Sequence, residues 1–289
     1  MAPDRLKFHA TPDMTGARMV LGFSGWMNGG EVSTGTVEAL IERLGARHLA
    51  EVDSEDFYIL NFPGSMEVSS LFRPYVKIEQ GLVTTYRGPT NAFFFHAPSR
   101  LVLFIGKEPN LRWSEYAECI FTVASRLDVS TIYFVGSVAG LVPHTREPRM
   151  YGSVSDARLR GELQQLGVRL SNYEGPASLV TYLTHLAGQR GTDMVSLIAE
   201  IPAYVQGKNP RCIESMTRRL AGMLSLPINL DDLRALGDEL ERRLNAIVQQ
   251  KPELAQRVRK LEEDYDSEVF DTQMGDLKDW LQQQGIRLD

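Results

Sequence analysis

The chain has 289 residues, 43% apolar and 24% charged, with a formal net charge of −6. That size and composition suit one large domain, or a domain with an appendage, that buries a core without disulfides or metal. The acidic balance excludes nucleic acid and an anionic membrane surface as expected main partners.

Two cysteines, Cys119 and Cys212, sit in segments of helical pattern with no Cys-x-x-Cys pairing. They read as reduced, buried thiols. The opening Met-Ala-Pro-Asp-Arg has no apolar segment of the secretory kind, and no apolar run approaches the length of a membrane span. A cytoplasmic location without membrane association is the expectation.

Residues up to about Ala17 are polar and are expected to be loosely held. Residues 18–24 (RMVLGFS) read as a buried strand. A turn cluster, Gly25-Trp26-Met27-Asn28-Gly29-Gly30, leads into Val32, Val37, Leu40, Ile41 and Leu44 at helical spacing, with Gly45 as the stop. This is the first half of a βαβ unit. Residues 75–79, 82–86 and 92–96 are short β-rich runs broken by Gly81, Gly88 and Pro89, and read as a small antiparallel excursion. Residues 101–106, 131–137 and 194–201 read as further buried strands. Residues 113–127, 157–166, 177–187 and 210–224 read as helices.

Strands alternating with helices predict an α/β fold of three layers: a mainly parallel sheet with helices on both faces. The loops after the strands then gather along one edge, where such sheets keep their sites. After Pro227 no segment reads as a strand. Leu233, Leu236, Leu240, Leu244 and Ile247 recur at steps of three and four, and residues 252–264 and 273–283 continue in helical style. The stretch from Asn229 carries 15 acidic and 9 basic residues, the whole acidic excess of the chain. The boundary is placed there: residues 1–227 form the α/β core, and 228–289 a C-terminal helical appendage packed on its own core or offering a partner-binding stripe.

Chemical motifs are incomplete. Gly22-Phe23-Ser24-Gly25 lacks the Gly-x-Ser-x-Gly spacing of a nucleophile elbow, and its reading is a tight turn that lets Trp26 fold back on the sheet edge. The same glycines fit neither a dinucleotide fingerprint nor a P-loop. Leu141-Val142-Pro143-His144-Thr145-Arg146 lies shortly after a buried strand. There His144, Thr145 and Arg146 suit a phosphate or carboxylate, with Arg146 as a fork and Glu174 from a neighbouring loop orienting His144. The alternative is that Arg146 and Glu174 pair to pin two loops. The five histidines, at 9, 48, 96, 144 and 185, show no His-x-x-x-His or His-Glu spacing, so no metal site is expected. Phe93-Phe94-Phe95 reads as strand and core. No catalytic residue and no cofactor is assigned. The candidates for ligand or partner binding are Trp26, Asn28, His144, Thr145, Arg146 and Glu174.

Five segments in register resemble the proteasome assembly chaperone 2 family, in its actinobacterial form. Gly22-Phe23-Ser24-Gly25-Trp26-Met27-Asn28-Gly29-Gly30 resembles the family's opening Gly-Phe-x-Gly-Trp-x-Asp-Ala-Gly turn. Val142-Pro143-His144-Thr145-Arg146 is similar to its Val-Pro-His-Thr-Arg loop, and Tyr173-Glu174-Gly175-Pro176 to its Tyr-x-Gly-Pro turn. Ile201-Pro202-Ala203-Tyr204, leading to Asn209-Pro210, resembles its Pro-His-Tyr…Asn-Pro segment, and Leu261-Glu262-Glu263-Asp264-Tyr265-Asp266 the helical end of actinobacterial members. The resemblance implies a phosphorylase/hydrolase-like body, a protein partner, and self-assembly into a homo-oligomer, a trimer first. Asn28 and Gly29 stand where the family carries Asp and Ala, and the lost carboxylate weakens a catalytic reading of the turn. The resulting expectation is a chaperone-like protein acting by protein–protein binding. The alternatives are an enzyme of phosphorylase or hydrolase type, and a small-molecule-binding regulator. Both of these need Asn28, His144, Arg146 and Glu174 to face one pocket at the strand ends.

Overall fold

The computed structural model describes the backbone of residues 5–283 and side chains as far as residue 270. Most of the opening segment read above for a targeting signal, residues 1–4, lies outside the described residues. The chain begins with β1 (Leu6–Phe8) and β2 (Arg18–Ser24), then α1 (Val32–Leu44) and β3 (Arg47–Val52). A short helix, α2 (Met66–Ser70), precedes the hairpin β4 (Tyr75–Glu79) and β5 (Leu82–Arg87). Next come β6 (Ala92–His96), β7 (Leu101–Lys107), α3 (Trp113–Arg126) and β8 (Thr131–Gly140). They are followed by β9 (Met150–Val154), α4 (Arg160–Gln165), β10 (Arg169–Leu170), α5 (Leu179–Arg190) and β11 (Asp193–Pro202). Three helices close the chain: α6 (Pro210–Leu224), α7 (Asp231–Gln249) and α8 (Pro252–Gln283).

Among the described residues, nine strands make one mixed sheet in the order β1-β3-β6-β7-β2-β8-β11-β9-β10. Its centre, β7-β2-β8-β11, is parallel, and these are the four buried strands expected from sequence. The flanks turn antiparallel at β6 and at β9. The reason is connection length: β6 reaches β7 through a tight turn at Ala97–Ser99, and a parallel pair needs a crossover of a dozen residues or more. From Leu6 on, the opening segment is held in place. β1 pairs with β3, and Met14 and Ala17 are buried. Of the three short runs read together as an excursion, 92–96 joins the main sheet as β6, while β4 and β5 stand apart as a two-stranded ribbon. The helices expected over 252–264 and 273–283 are one continuous α8.

Strand residues alternate between two cores. Met19, Leu21, Phe23, Val102 and Phe104 pack with α3 and α5 on one face, where Tyr116, Ile120 and Leu183 are buried. Val20, Leu101, Leu103 and Val135 pack with α1 and α6 on the other, against Val37, Leu40, Ile213 and Leu220. Phe93 and Phe95 are core, as expected. Cys119 and Cys212 are buried in these two layers, and burial pushes both thiols up to about 12.

Helix α1 lies directly on the sheet. A Cβ at Gly22 would meet Val37 Cγ2 at 2.6 Å and the Ser33 carbonyl oxygen at 2.8 Å. The buried Ser33 hydroxyl accepts from Phe23 N–H at 2.9 Å and donates to the Val135 carbonyl at 2.5 Å, tying α1 to β2 and β8. Helix α7 lies on α6 in the same manner. A Cβ at Gly237 would come within 3.0 Å of Arg211 Cα. Among the described residues three ion pairs hold it, Arg211 with Glu241, Arg234 with Glu214 and Arg43 with Asp232. The stripe read on α7 divides: Leu240 and Leu244 face the body, while Leu236 and Ile247 stay exposed. Among the described residues no helix is long and apolar enough to cross a membrane.

The contact at Gly22 sets a test. Gly22→Ala places a methyl against backbone that cannot retreat, at an expected cost of about 1–3 kcal/mol. Chemical denaturation with urea checks it: an unchanged midpoint shows that α1 does not sit as close as described.

Candidate functional site

The strand-end loops gather on one edge, as the parallel centre requires. There the β2–α1 turn is fastened from two sides. The Glu108 carboxylate accepts from Trp26 N–H at 2.9 Å and from Leu179 N–H at 3.1 Å, joining the turn to the start of α5. Ser137 donates its N–H to the Met27 carbonyl at 3.0 Å and its hydroxyl to the Gly29 carbonyl at 2.6 Å. The Asn28 side chain is turned on its own loop. Its oxygen accepts from Thr34 N–H at 3.1 Å, and its amide donates to Thr34 Oγ1 at 3.2 Å. Trp26 does not fold back on the sheet edge; its side chain is 72% exposed.

An open cleft of about 560 Å³ separates this turn from the β4–β5 ribbon. Asn28 and Thr34 line one wall, Arg73 and Arg87 the other, with Lys107 at the floor. His144, Arg146 and Glu174 are not part of it.

His144 lies elsewhere, buried between its loop and α7. Tyr204 Oη accepts from His144 N–H at 2.8 Å and stands 2.8 Å from Nδ1, and Nε2 lies 3.2 Å from Asn245 Oδ1. Because Asn245 offers an acceptor, Nε2 carries the proton, and Tyr204 donates to Nδ1. Burial pushes the imidazole below its usual value, offset in part by the Asn245 hydrogen bond. The ring is thus neutral at pH 7, with both nitrogens occupied. The cavity beside it, lined by Val142, Arg211, Leu240 and Leu244, has a volume of about 10 Å³, room for a single water.

The next two side chains are committed to α8. Thr145 Oγ1 donates to the Glu262 carboxylate. Arg146 makes a two-pronged contact with Asp266, at 2.8 Å through Nε and 2.8 Å through a terminal nitrogen. Tyr265 Oη donates to the Glu147 carbonyl at 3.0 Å, and its ring lies under Arg149, which also pairs with Glu268. Arg146 therefore pairs with α8, not with Glu174. Glu174 is exposed on its own turn and makes no contact with His144. The loop is a clasp between the body and the helical appendage, and the four residues that an enzyme or regulator would need in one pocket are dispersed. The partners in the clasp, Tyr204, Asn245, Glu262 and Asp266, carry no local sequence signal beyond the Tyr204 and Glu262–Asp266 segments already singled out.

A further set of side chains does converge. His9, His48 and Glu51 bring one ligand atom each within 4.8 Å of one another. Spacing along the chain hid them, since His9 comes from the segment that follows β1, about forty residues away from His48.

A family model described as the PAC2 family matches residues 22–248. No curated protein matches the sequence. Among solved structures, a Mycobacterium tuberculosis protein of unknown function is similar with a TM-score of 0.82 and 21% identity, covering 95% of this chain and 93% of that one. A Mycobacterium tuberculosis proteasome-assembly chaperone homologue is similar at 0.72 and 26%, covering 83% and 99%. A PAC2 family protein from Streptomyces avermitilis is similar at 0.71 and 25%, covering 84% and 99%. The first likeness is one of fold.

The clasp makes stability depend on pH in a defined direction. The His144 value is lower in the folded chain than the roughly 6.5 of an unfolded histidine. Its contribution is therefore present above pH about 6.5 and is lost as pH falls through the folded value. Thermal denaturation from pH 7.5 to 5 is expected to show this decline in the wild type and a flatter profile in His144→Gln. Equal slopes would remove His144 as the cause.

Proposed function

Since this chain belongs to the PAC2 family, we propose that it is a proteasome-assembly-chaperone-like protein that works by binding protein surfaces, its own copies included. The observation that carries this reading is the projecting ribbon. Met66, Leu71, Tyr75, Ile78, Leu82 and Tyr86 are all more than half exposed, and both faces of the hairpin meet solvent. A two-stranded hairpin is marginal alone in water. An apolar patch of this kind marks an interaction surface, and its free strand edges add unpaired backbone groups.

The first occupant of the ribbon is a second copy of the chain. A cover that must be present whenever the chain folds is supplied at equal concentration only by the chain itself. The ribbon also carries both charge signs, Lys77 and Arg87 with Glu79, which suits contact between like surfaces. A trimer is the expected number, from the family resemblance. The chaperone reading draws on the Mycobacterium tuberculosis relative described as a proteasome-assembly chaperone homologue. Trp26, 72% exposed beside the cleft, is the further candidate for partner contact.

A second reading, a regulator that binds a small anion, is favoured by Arg73, Arg87 and Lys107 around the cleft, which outnumber its carboxylates, Glu31 and Glu38. Phosphorylated and carboxylated metabolites are expected to raise the melting temperature of the wild type and not of Arg87→Ala if that reading holds.

Light scattering after size exclusion tests the main reading. The wild type is expected at a multiple of 32.4 kDa, and Ile78→Glu with Leu82→Glu at a single mass with unchanged circular dichroism. A wild type that stays monomeric at about 50 µM, where an obligate assembly is populated, overturns the self-association.

A further inference from the structure

Strand β3 contains a bulge. In its pairing with β6, His48 faces Phe94 and Ala50 faces Phe93, so Leu49 is the extra residue. The burial pattern shows the consequence. Leu49 and Ala50, neighbours in sequence, are both in the core. In a regular strand, positions three apart point to opposite faces. Here the bulge resets the alternation, so that His48 and Glu51 both point outward on one side. The Leu49 carbonyl also accepts from His9 N–H at 2.8 Å and Ala10 N–H at 3.2 Å. The bulge therefore aims two side chains and pins the segment that carries the third.

The three groups are close. His48 Nε2 lies 3.3 Å from one Glu51 oxygen, and His9 Nε2 lies 3.7 Å from the other. The two imidazoles are stacked with centroids 4.5 Å apart and planes inclined by 22°. Phe94 supports the His48 ring at 5.4 Å. A tetrahedral zinc with bonds of about 2.0–2.1 Å needs its ligand atoms roughly 3.3 Å apart. The histidine–carboxylate distances are near that value, and what must close is the gap between the rings. The side chains are 31%, 35% and 49% exposed, so a small rotation is open to them.

We propose that His9, His48 and Glu51 form a divalent transition-metal site, best suited to zinc, that clips the terminal strand β1 to β3. Two imidazole nitrogens and one carboxylate oxygen make a nitrogen-rich set that suits zinc and not magnesium or calcium, which require oxygen ligands. Three protein ligands leave a fourth position for water. Strand β1 is three residues long and pairs at the sheet edge. An ion held by His9 on one side and by His48 and Glu51 on the other fastens that edge.

The test uses full-length protein stripped with a chelator and titrated calorimetrically with zinc chloride at pH 7.5. One ion per chain is expected, with a raised melting temperature and slower hydrogen exchange over residues 6–8. His9→Ala, His48→Gln and Glu51→Gln are each expected to weaken binding by about tenfold or more, and to abolish the gain in melting temperature. These side chains lie at the surface, so circular dichroism should confirm that the variants fold; His96→Ala serves as a control that keeps binding. Cobalt in place of zinc should show visible absorption that is lost in the same variants. Absence of zinc binding overturns the proposal. So does binding that the three substitutions leave intact, an adventitious ion only, or magnesium binding as tight as zinc.

Discussion

Helix α1 can rest on the sheet because position 22 has no side chain, and the placement of much else descends from that contact. With Gly22 bare, the Ser33 hydroxyl reaches both β2 and β8 and fixes the helix in its groove. A fixed α1 sets the turn before it, where Asn28 bonds back to Thr34. It also gives α6 a surface to pack on, since Val37 and Leu40 share a core with Ile213 and Leu220. Helix α6 in turn receives α7 at Gly237. The position of the helical appendage is therefore passed outward from the sheet through two close helix crossings.

The polar loop after β8 shows how a motif that looks reactive can be spent on architecture. His144, Thr145 and Arg146 sit where open α/β sheets keep ligands, yet each has found a partner in α7 or α8. The match to the PAC2 family model ends at residue 248, and α8 begins at Pro252. The cover over Thr145 and Arg146 is thus supplied by chain beyond the family region. The fold-level likeness that spans 95% of this chain must reach past residue 252, into the segment that forms α8 here.

The parallel centre was legible because its strands are dominated by apolar residues, as in the IYFV run of Thr131–Gly140 and the LVLFI run of Leu101–Lys107. Strand β3 (RHLAEV) and strand β9 (MYGSV) were not, since short strands with charged or glycine positions carry no clear period. Glu174 illustrates a different limit. Its placement after a loop suggested proximity to His144, but which strand-end loops meet is set by strand order, and β11 lies beside β8 at a point no local pattern announces. The pairing of Arg146 with Asp266 spans 120 residues, and its acidic partner is one among many on a charged helix. The His9 group was hidden by a bulge, which breaks the very alternation that sequence reading relies on.

The order of strands also governs how this protein can be made. Strand β2 pairs with β7, and with β8 beginning at Thr131, while β8 waits for β11, which ends at Pro202. When the first half of the chain has left the ribosome, β2 and β7 have their neighbours but β8 still lacks β11, and α6, which seals the second face, arrives only at Leu224. Such long-range closure is slow and leaves sticky intermediates. The edge of β8 is a surface left open until β11, the last of the described strands, is made.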